Sequence, residues 1–236
     1  MASIQVDPQK YLVDQNPKLA VAIEISGIIQ EPLDWAITKW GLGLAWRGEI
    51  RKRDFIRAMW EYNRGNLSDD TKELITNFFK AGLHKNVPFY DDAVPQVRKI
   101  CREIGAENFY IISAIGVNAY GINAKGGLYS IDDDTSEFLT KSLGNRPFGE
   151  IFLTDIMSNN KGVEYQQLRQ KYGADNVLIF DVSPQKYSIQ AIYACCEFIP
   201  MKRPHRWNKT CKLGAAFDRA YAQWKSNNLQ KSGKLK

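Results

Sequence analysis

Apolar residues run unbroken from Leu19 to Ile23, and the chain then presents Glu24, Ser26 and Gly27. A short apolar run closed by polar residues and glycine predicts a buried strand over residues 19–25, with two polar side chains at its C-terminal end. From Gln30 to about Pro88 the rhythm becomes helical. Pro32 stands where a first helix begins. Ile50, Phe55, Met59 and Tyr62 recur at helical spacing, with Ile56 and Trp60 beside them and Gly65 as a stop. Ser68 is an N-cap candidate for a helix whose apolar face holds Leu74, Ile75, Phe78 and Phe79, closed by Gly82. Trp35, Trp40 and Trp46 fall within the same region. Helix–helix packing is the expectation for them, and an aromatic wall for a ligand is the alternative.

Beyond Pro88 helical and extended patterns alternate. An amphipathic stretch turns Val94, Val97, Ile100, Cys101 and Ile104 inward, and an apolar strand then leads to Ser113. Asp132, Asp133 and Asp134 open a helix, where acidic residues favour capping over metal binding. A strand reading GEIFLTD follows, then a helix expected to be capped by Asn159 or Asn160. A third apolar strand ends at Asp181, and CEFIPM is a candidate last strand. A terminal helix places Ala216, Phe217, Ala220, Tyr221 and Trp224 on one face. Strands separated by helices imply βαβ units and a mostly parallel sheet. Such sheets bind ligands at the carboxyl ends of their strands, where Glu24 with Ser26, Ser113 and Asp181 are expected. No GxGxxG, Walker-A loop, GxSxG elbow or internal repeat competes with this reading.

The length of 236 residues suffices for one large domain or a core with an insertion. No stretch is long and apolar enough to span a bilayer, and the N-terminus lacks the apolar core of a signal peptide. A cytoplasmic protein with no membrane partner is the expectation. The net charge of +6 has much of its excess in the C-terminal segments KRPHRWNKTCK and WKSNNLQKSGKLK. A basic end attracts nucleic acid or acidic partners, although a solvated tail is the simpler reading. Cys101, Cys195, Cys196 and Cys211 form no CxxC pair, and His84 and His205 are the two histidines. A zinc site of ordinary spacing is therefore not expected, and reduced core thiols are.

In order and spacing, these pieces resemble the haloacid dehalogenase-like (HAD) phosphohydrolase superfamily over roughly residues 18–196. The family's first motif aligns with AIEISGII, which puts Glu24 at the nucleophile position and Ser26 at the general acid/base position. The second motif gives Ser113 in YIISAIG, the third gives Lys161 in SNNKGVEYQQL, and the fourth gives Asp181 in LIFDVSPQKYSIQAI. Phe180 replaces a usual glycine, and the later acidic position falls at Gln185. The resemblance implies a Rossmann-like α/β core over 18–30 and 89–200, with a mostly parallel sheet flanked by helices. It further implies an inserted helical cap over 31–88, preceded by a lead-in over 1–17 and followed by a basic C-terminal helix and tail over 201–236.

The chemistry implied by the resemblance needs a carboxylate nucleophile and a second carboxylic acid two residues later. It also needs magnesium held by hard oxygen ligands, here reduced to Glu24 and Asp181. Ser113 and Lys161 would hold and neutralise the transferred group. The extra methylene of Glu24 displaces its carboxylate, and a shift of roughly 1 Å costs on the order of 100-fold in rate. Ser26 lacks an acid/base function at neutral pH, a loss of about 100- to 10,000-fold. The expectation is a catalytically degenerate binding, regulatory or structural module, with activity absent or very weak. Its partner would be a protein or a phosphate-bearing small molecule. The alternatives are an active magnesium-dependent phosphatase or nucleotidase with an atypical Glu-x-Ser motif, and a nucleic-acid-binding protein using the basic C-terminus.

Overall fold

The computed structural model describes residues 18–64, 68–122, 125–144, 149–156, 160–182, 190–191, 194, 196–202 and 210–231. The chain begins with strand β1 (Ala20–Ile23) and continues through helices α1 (Leu33–Trp46), α2 (Lys52–Arg64), α3 (Asp69–Lys80) and α4 (Ala93–Ile104). Strand β2 (Phe109–Gly116), a small hairpin of β3 (Tyr120–Ile122) and β4 (Leu128–Ser130), helix α5 (Ile131–Ser142) and strand β5 (Glu150–Asp155) follow. Helix α6 (Gly162–Tyr172), strands β6 (Val177–Asp181) and β7 (Glu197–Pro200), and helix α7 (Leu213–Lys231) complete the described elements.

The main sheet has the order β5-β2-β1-β6-β7, with every neighbouring pair parallel. The chain moves outward from β1 through β2 to β5, then returns to β6 and β7 on the other side of β1. That reversal places β1 at a topological switch point, the position where open α/β sheets bind ligands beyond their strand ends. The fold is thus an α/β layer structure with a parallel five-stranded sheet flanked by helices, in line with the sequence expectation.

Both sheet faces are covered, which explains why β1 reads as a continuous apolar run rather than an alternating one. Side chains alternate across a strand. Val21 and Ile23 therefore face one core with Ile37, Phe55, Phe78, Val97 and Phe217. Ala20 and Ala22 face the other core with Tyr165, Leu168, Ala191 and Ala194. Helices α1–α3 share a continuous hydrophobic cluster with the first face of the sheet.

Several helix ends form as the sequence predicts. Ser68 caps α3, its hydroxyl accepting from the Thr71 N–H at 3.4 Å. Gly82 takes the left-handed conformation after α3, with φ of 68°. The cap of α5 is Ser130 rather than one of the aspartates that follow it. Asp132 instead accepts from the Val117 and Asn118 N–H groups at 2.8 and 3.0 Å, holding the turn after β2. At α6 the cap position falls on Lys161 rather than on Asn160, which accepts from the Gly162 N–H at 3.0 Å from one residue earlier. Asn159 lies outside the described residues, as do residues 1–17, Gln185, Cys195, His205 and the basic segments 203–209 and 232–236.

Of the three tryptophans, Trp46 departs from the expected helix–helix packing, while Trp35 and Trp40 line one groove beside Phe78 and Leu83. Trp40 packs edge-on against Phe78, with ring centroids 5.6 Å apart. Trp35 is half-buried along an open groove with Lys39 and Pro88, and Trp46 is 92% exposed. Cys101, Cys196 and Cys211 are buried and form no disulfide, as expected. Burial pushes the Cys101 and Cys211 thiols up to about 12.

Candidate functional site

Beyond Ile23 the chain leaves the sheet edge through a tight turn. The Glu24 N–H still donates to the Phe180 carbonyl at 3.0 Å, which keeps Glu24 aligned beside the end of β6. Gly27, at φ of 83°, then folds the backbone so that the Ile25 carbonyl accepts from the N–H groups of Ile28, Ile29 and Gln30. This early turn explains why the strand stops at Ile23 rather than Ile25. On β2 the pairing register breaks between Ser113 and Gly116, so Ser113 lies at an irregularity within the strand and not at its last residue.

Four of the five sequence-predicted site residues converge here. Glu24 Oε1 accepts from its neighbouring Ile25 and Ser26 N–H groups at 2.8 and 3.2 Å, and from the Ser113 hydroxyl. Glu24 Oε2 accepts from the Ala114 N–H at 3.3 Å and from the Lys161 ammonium. The same ammonium donates to Asp181 Oδ2 at 2.6 Å. Lys161 and Ser113 are fully buried, and Glu24 and Asp181 are nearly so. Burial alone pushes the Glu24 carboxyl upward. The positive charge of Lys161 and hydrogen bonds from Lys161, Ser113 and the Ser26 N–H outweigh it, holding the carboxyl below its usual range.

Ser26 has a different role. Its hydroxyl accepts from the Leu33 N–H at 2.9 Å and so satisfies a donor at the start of α1, where Pro32 offers no side-chain cap. Its backbone serves Glu24 while its side chain serves the helix. The cavity that touches Ser26, together with His84 and Thr135, measures about 10 Å³. That is about the space of a single water.

Two contributors escaped the sequence reading. The Tyr165 hydroxyl lies 3.5 Å from Asp181 Oδ2, and Gln190 Oε1 accepts from the Lys161 N–H at 2.9 Å. Tyr165 follows Lys161 by four residues, a spacing that puts two side chains over one stretch of helix surface. That spacing was the available signal for Tyr165, and Gln190 carried none.

Glu24 and Asp181 are the carboxylates expected to hold magnesium, and both are engaged by the Lys161 ammonium. The Ser26 hydroxyl is occupied at α1. Among the described residues no group of three His, Cys, Asp or Glu side chains is placed to hold a metal. The two carboxylates that the resemblance implied for magnesium thus share an ion pair with Lys161. Chemically, this arrangement fixes an ammonium between two carboxylates and leaves no open ligand position on the Glu24 side, where both oxygens accept at least two hydrogen bonds.

No protein-family model matches the chain, and no curated protein matches it. Among solved structures it is similar to the UTR4 protein (unknown transcript 4 protein) of Saccharomyces cerevisiae. The similarity has 14% identity and a TM-score of 0.37, covering 79% of this chain and 91% of that one.

Proposed function

We propose that this chain is a catalytically degenerate HAD-like protein that works as a binding or regulatory module rather than by turnover. The observation carrying this reading is the closed charge network: Lys161, wholly buried, is neutralised by Glu24 and Asp181. Two carboxylates and one ammonium leave the site formally negative before any substrate arrives. A phosphoryl dianion entering it would meet like charge, and burial strengthens that repulsion. The Ser26 hydroxyl is committed to the α1 terminus and has no acid/base capacity to contribute. Within this reading residues 31–88 are the cap insertion, packed onto the core.

The test is a phosphatase assay with p-nitrophenyl phosphate and nucleoside monophosphates, with and without magnesium. The expected result is no turnover by the natural chain. The double variant Glu24→Asp with Ser26→Asp restores the short nucleophile and the acid, and is expected to show magnesium-dependent hydrolysis. Divalent-dependent turnover by the natural chain, lost in Asp181→Ala, overturns the proposal in favour of an active phosphohydrolase with an unusual Glu24.

A further inference from the structure

Helices α1 and α2 are joined by residues 47–51 and pack against each other, with the Phe55 ring lying on Gly41 where any Cβ would collide with it. Their buried stripes are Leu33, Ile37 and Gly41 on α1, and Phe55, Ala58 and Met59 on α2. Away from these stripes each helix presents a second row. On α1 it is Trp35, Lys39, Leu42 and Trp46, spaced by four, three and four residues; on α2 it is Lys52, Ile56 and Trp60, spaced by four. Such spacings place side chains along one helix face. Leu42 is 44% exposed, Ile56 54%, Trp60 53% and Trp46 92%. Neither row contains an acidic residue. Residues 39–57 carry six basic side chains against two acidic ones; at the link between the helices Arg47 pairs with Glu49, and Arg51 and Arg53 lie on Asp54, in exposed ion pairs that leave a positive excess including Lys52.

We propose that this α1–α2 hairpin is a docking surface for an anionic lipid bilayer, lying in the membrane interface with Trp46 and Trp60 inserted and the link arginines on the headgroups. Tryptophan favours the interfacial zone, and cationic residues beside an apolar helix face are attracted to anionic leaflets. The chemistry disfavours the other occupants. Leucine and isoleucine do not stack on nucleobases, so two of the five apolar residues would go unused on a single-stranded nucleic acid. A second copy meeting this face through a two-fold axis would bring the same basic cluster against itself. The proposed contact is peripheral; no helix among the described residues is long and apolar enough to cross a membrane. This departs from the expectation of no membrane partner, which rested on the absence of a spanning segment.

The experiment is co-sedimentation of the full chain with phosphatidylcholine vesicles containing 30% phosphatidylserine, beside pure phosphatidylcholine vesicles. Binding is expected to the anionic vesicles only. It should fall at least tenfold in Trp46→Ala with Trp60→Ala, and at least tenfold in a chain with Arg51, Lys52 and Arg53 changed to glutamine, each variant first shown to be folded by circular dichroism. Failure of the natural chain to sediment with anionic vesicles overturns the proposal. Full binding by both variants, with loss on removal of residues 202–236, also overturns it and assigns the attraction to the basic C-terminus. Binding to single-stranded RNA without vesicle binding, or a dimer dispersed by the double tryptophan variant without vesicle binding, overturns it in favour of those partners.

Discussion

Replacing Lys161 with methionine keeps most of the side-chain volume and removes its charge. In the natural chain the ammonium touches Glu24 and Asp181 inside a site closed to solvent. Deleting one partner of a buried ion pair costs about 3–5 kcal/mol, because the remaining charge stays buried without compensation. For a chain of this size that corresponds to a fall in melting temperature of roughly 6–20 °C. The pH dependence distinguishes this mechanism from simple loss of packing. The natural Glu24 carboxyl is held below its ordinary value of 4.5. Its contribution is therefore fully present above pH 4.5 and is lost as pH falls through the lower folded value. Without Lys161 the burial effect is no longer outweighed, and the carboxyl rises above 4.5. The variant then gains stability relative to the natural chain as pH falls from 7 towards 4.5. Urea denaturation of both proteins at several pH values measures the gap between them, with shared titrations cancelling. A gap below about 1 kcal/mol, or one independent of pH over that range, refutes the reasoning. If the single variant does not fold, Lys161→Met combined with Glu24→Gln and Asp181→Asn is expected to recover most of the loss, since a neutral cluster has no stranded charge.

Ser26→Ala removes the acceptor for the Leu33 N–H at the start of α1. The expected cost is about 1 kcal/mol, seen as a small fall in the urea midpoint with unchanged slope; an unchanged midpoint contradicts the capping role. Burial, together with the neighbouring positive charge of Lys85, lowers His84 from 6.5 to about 4. The unfolded chain therefore takes up this proton first on acidification, so the contribution of His84 is complete above pH 6.5 and shrinks between 6.5 and 4 by about 3 kcal/mol. An NMR titration should place the His84 midpoint near 4, and a midpoint above 6 rejects this.

The apolar runs of β1, β2 and β6 were legible because a parallel sheet covered on both faces requires continuous hydrophobic stretches. Ser68 and Gly82 were legible because helix termini demand a side-chain acceptor and a left-handed residue. The convergence at Glu24 was different: Lys161 arrives from 137 residues away, a distance that no local period encodes. It was anticipated only through the order of the four motifs in the family resemblance. The partner of Ser26 depended on the Gly27 turn, which brings α1 back to the end of the strand. The split of the tryptophans depended on helical phase. Trp40 and Trp46 lie on different sides of α1, and only knowledge of the buried stripe tells which one meets Phe78.

The pairing of β1 with β6 sets Val21 against Leu178 and Ile23 against Phe180, so Glu24 and Asp181 follow side by side. Strands made wholly of apolar residues fit one another almost equally well when one slides by a residue. A slide here would turn one carboxylate to the opposite face and leave the Lys161 ammonium half-neutralised in the interior. The charged residues therefore act as a key that a single alignment of the two strands accepts, a use independent of any reaction. The neutral triple variant would be stable yet less singular in structure, with broadened amide resonances along β1 and β6. Sharp, native-like resonances in that variant would show that the apolar strands find their alignment unaided.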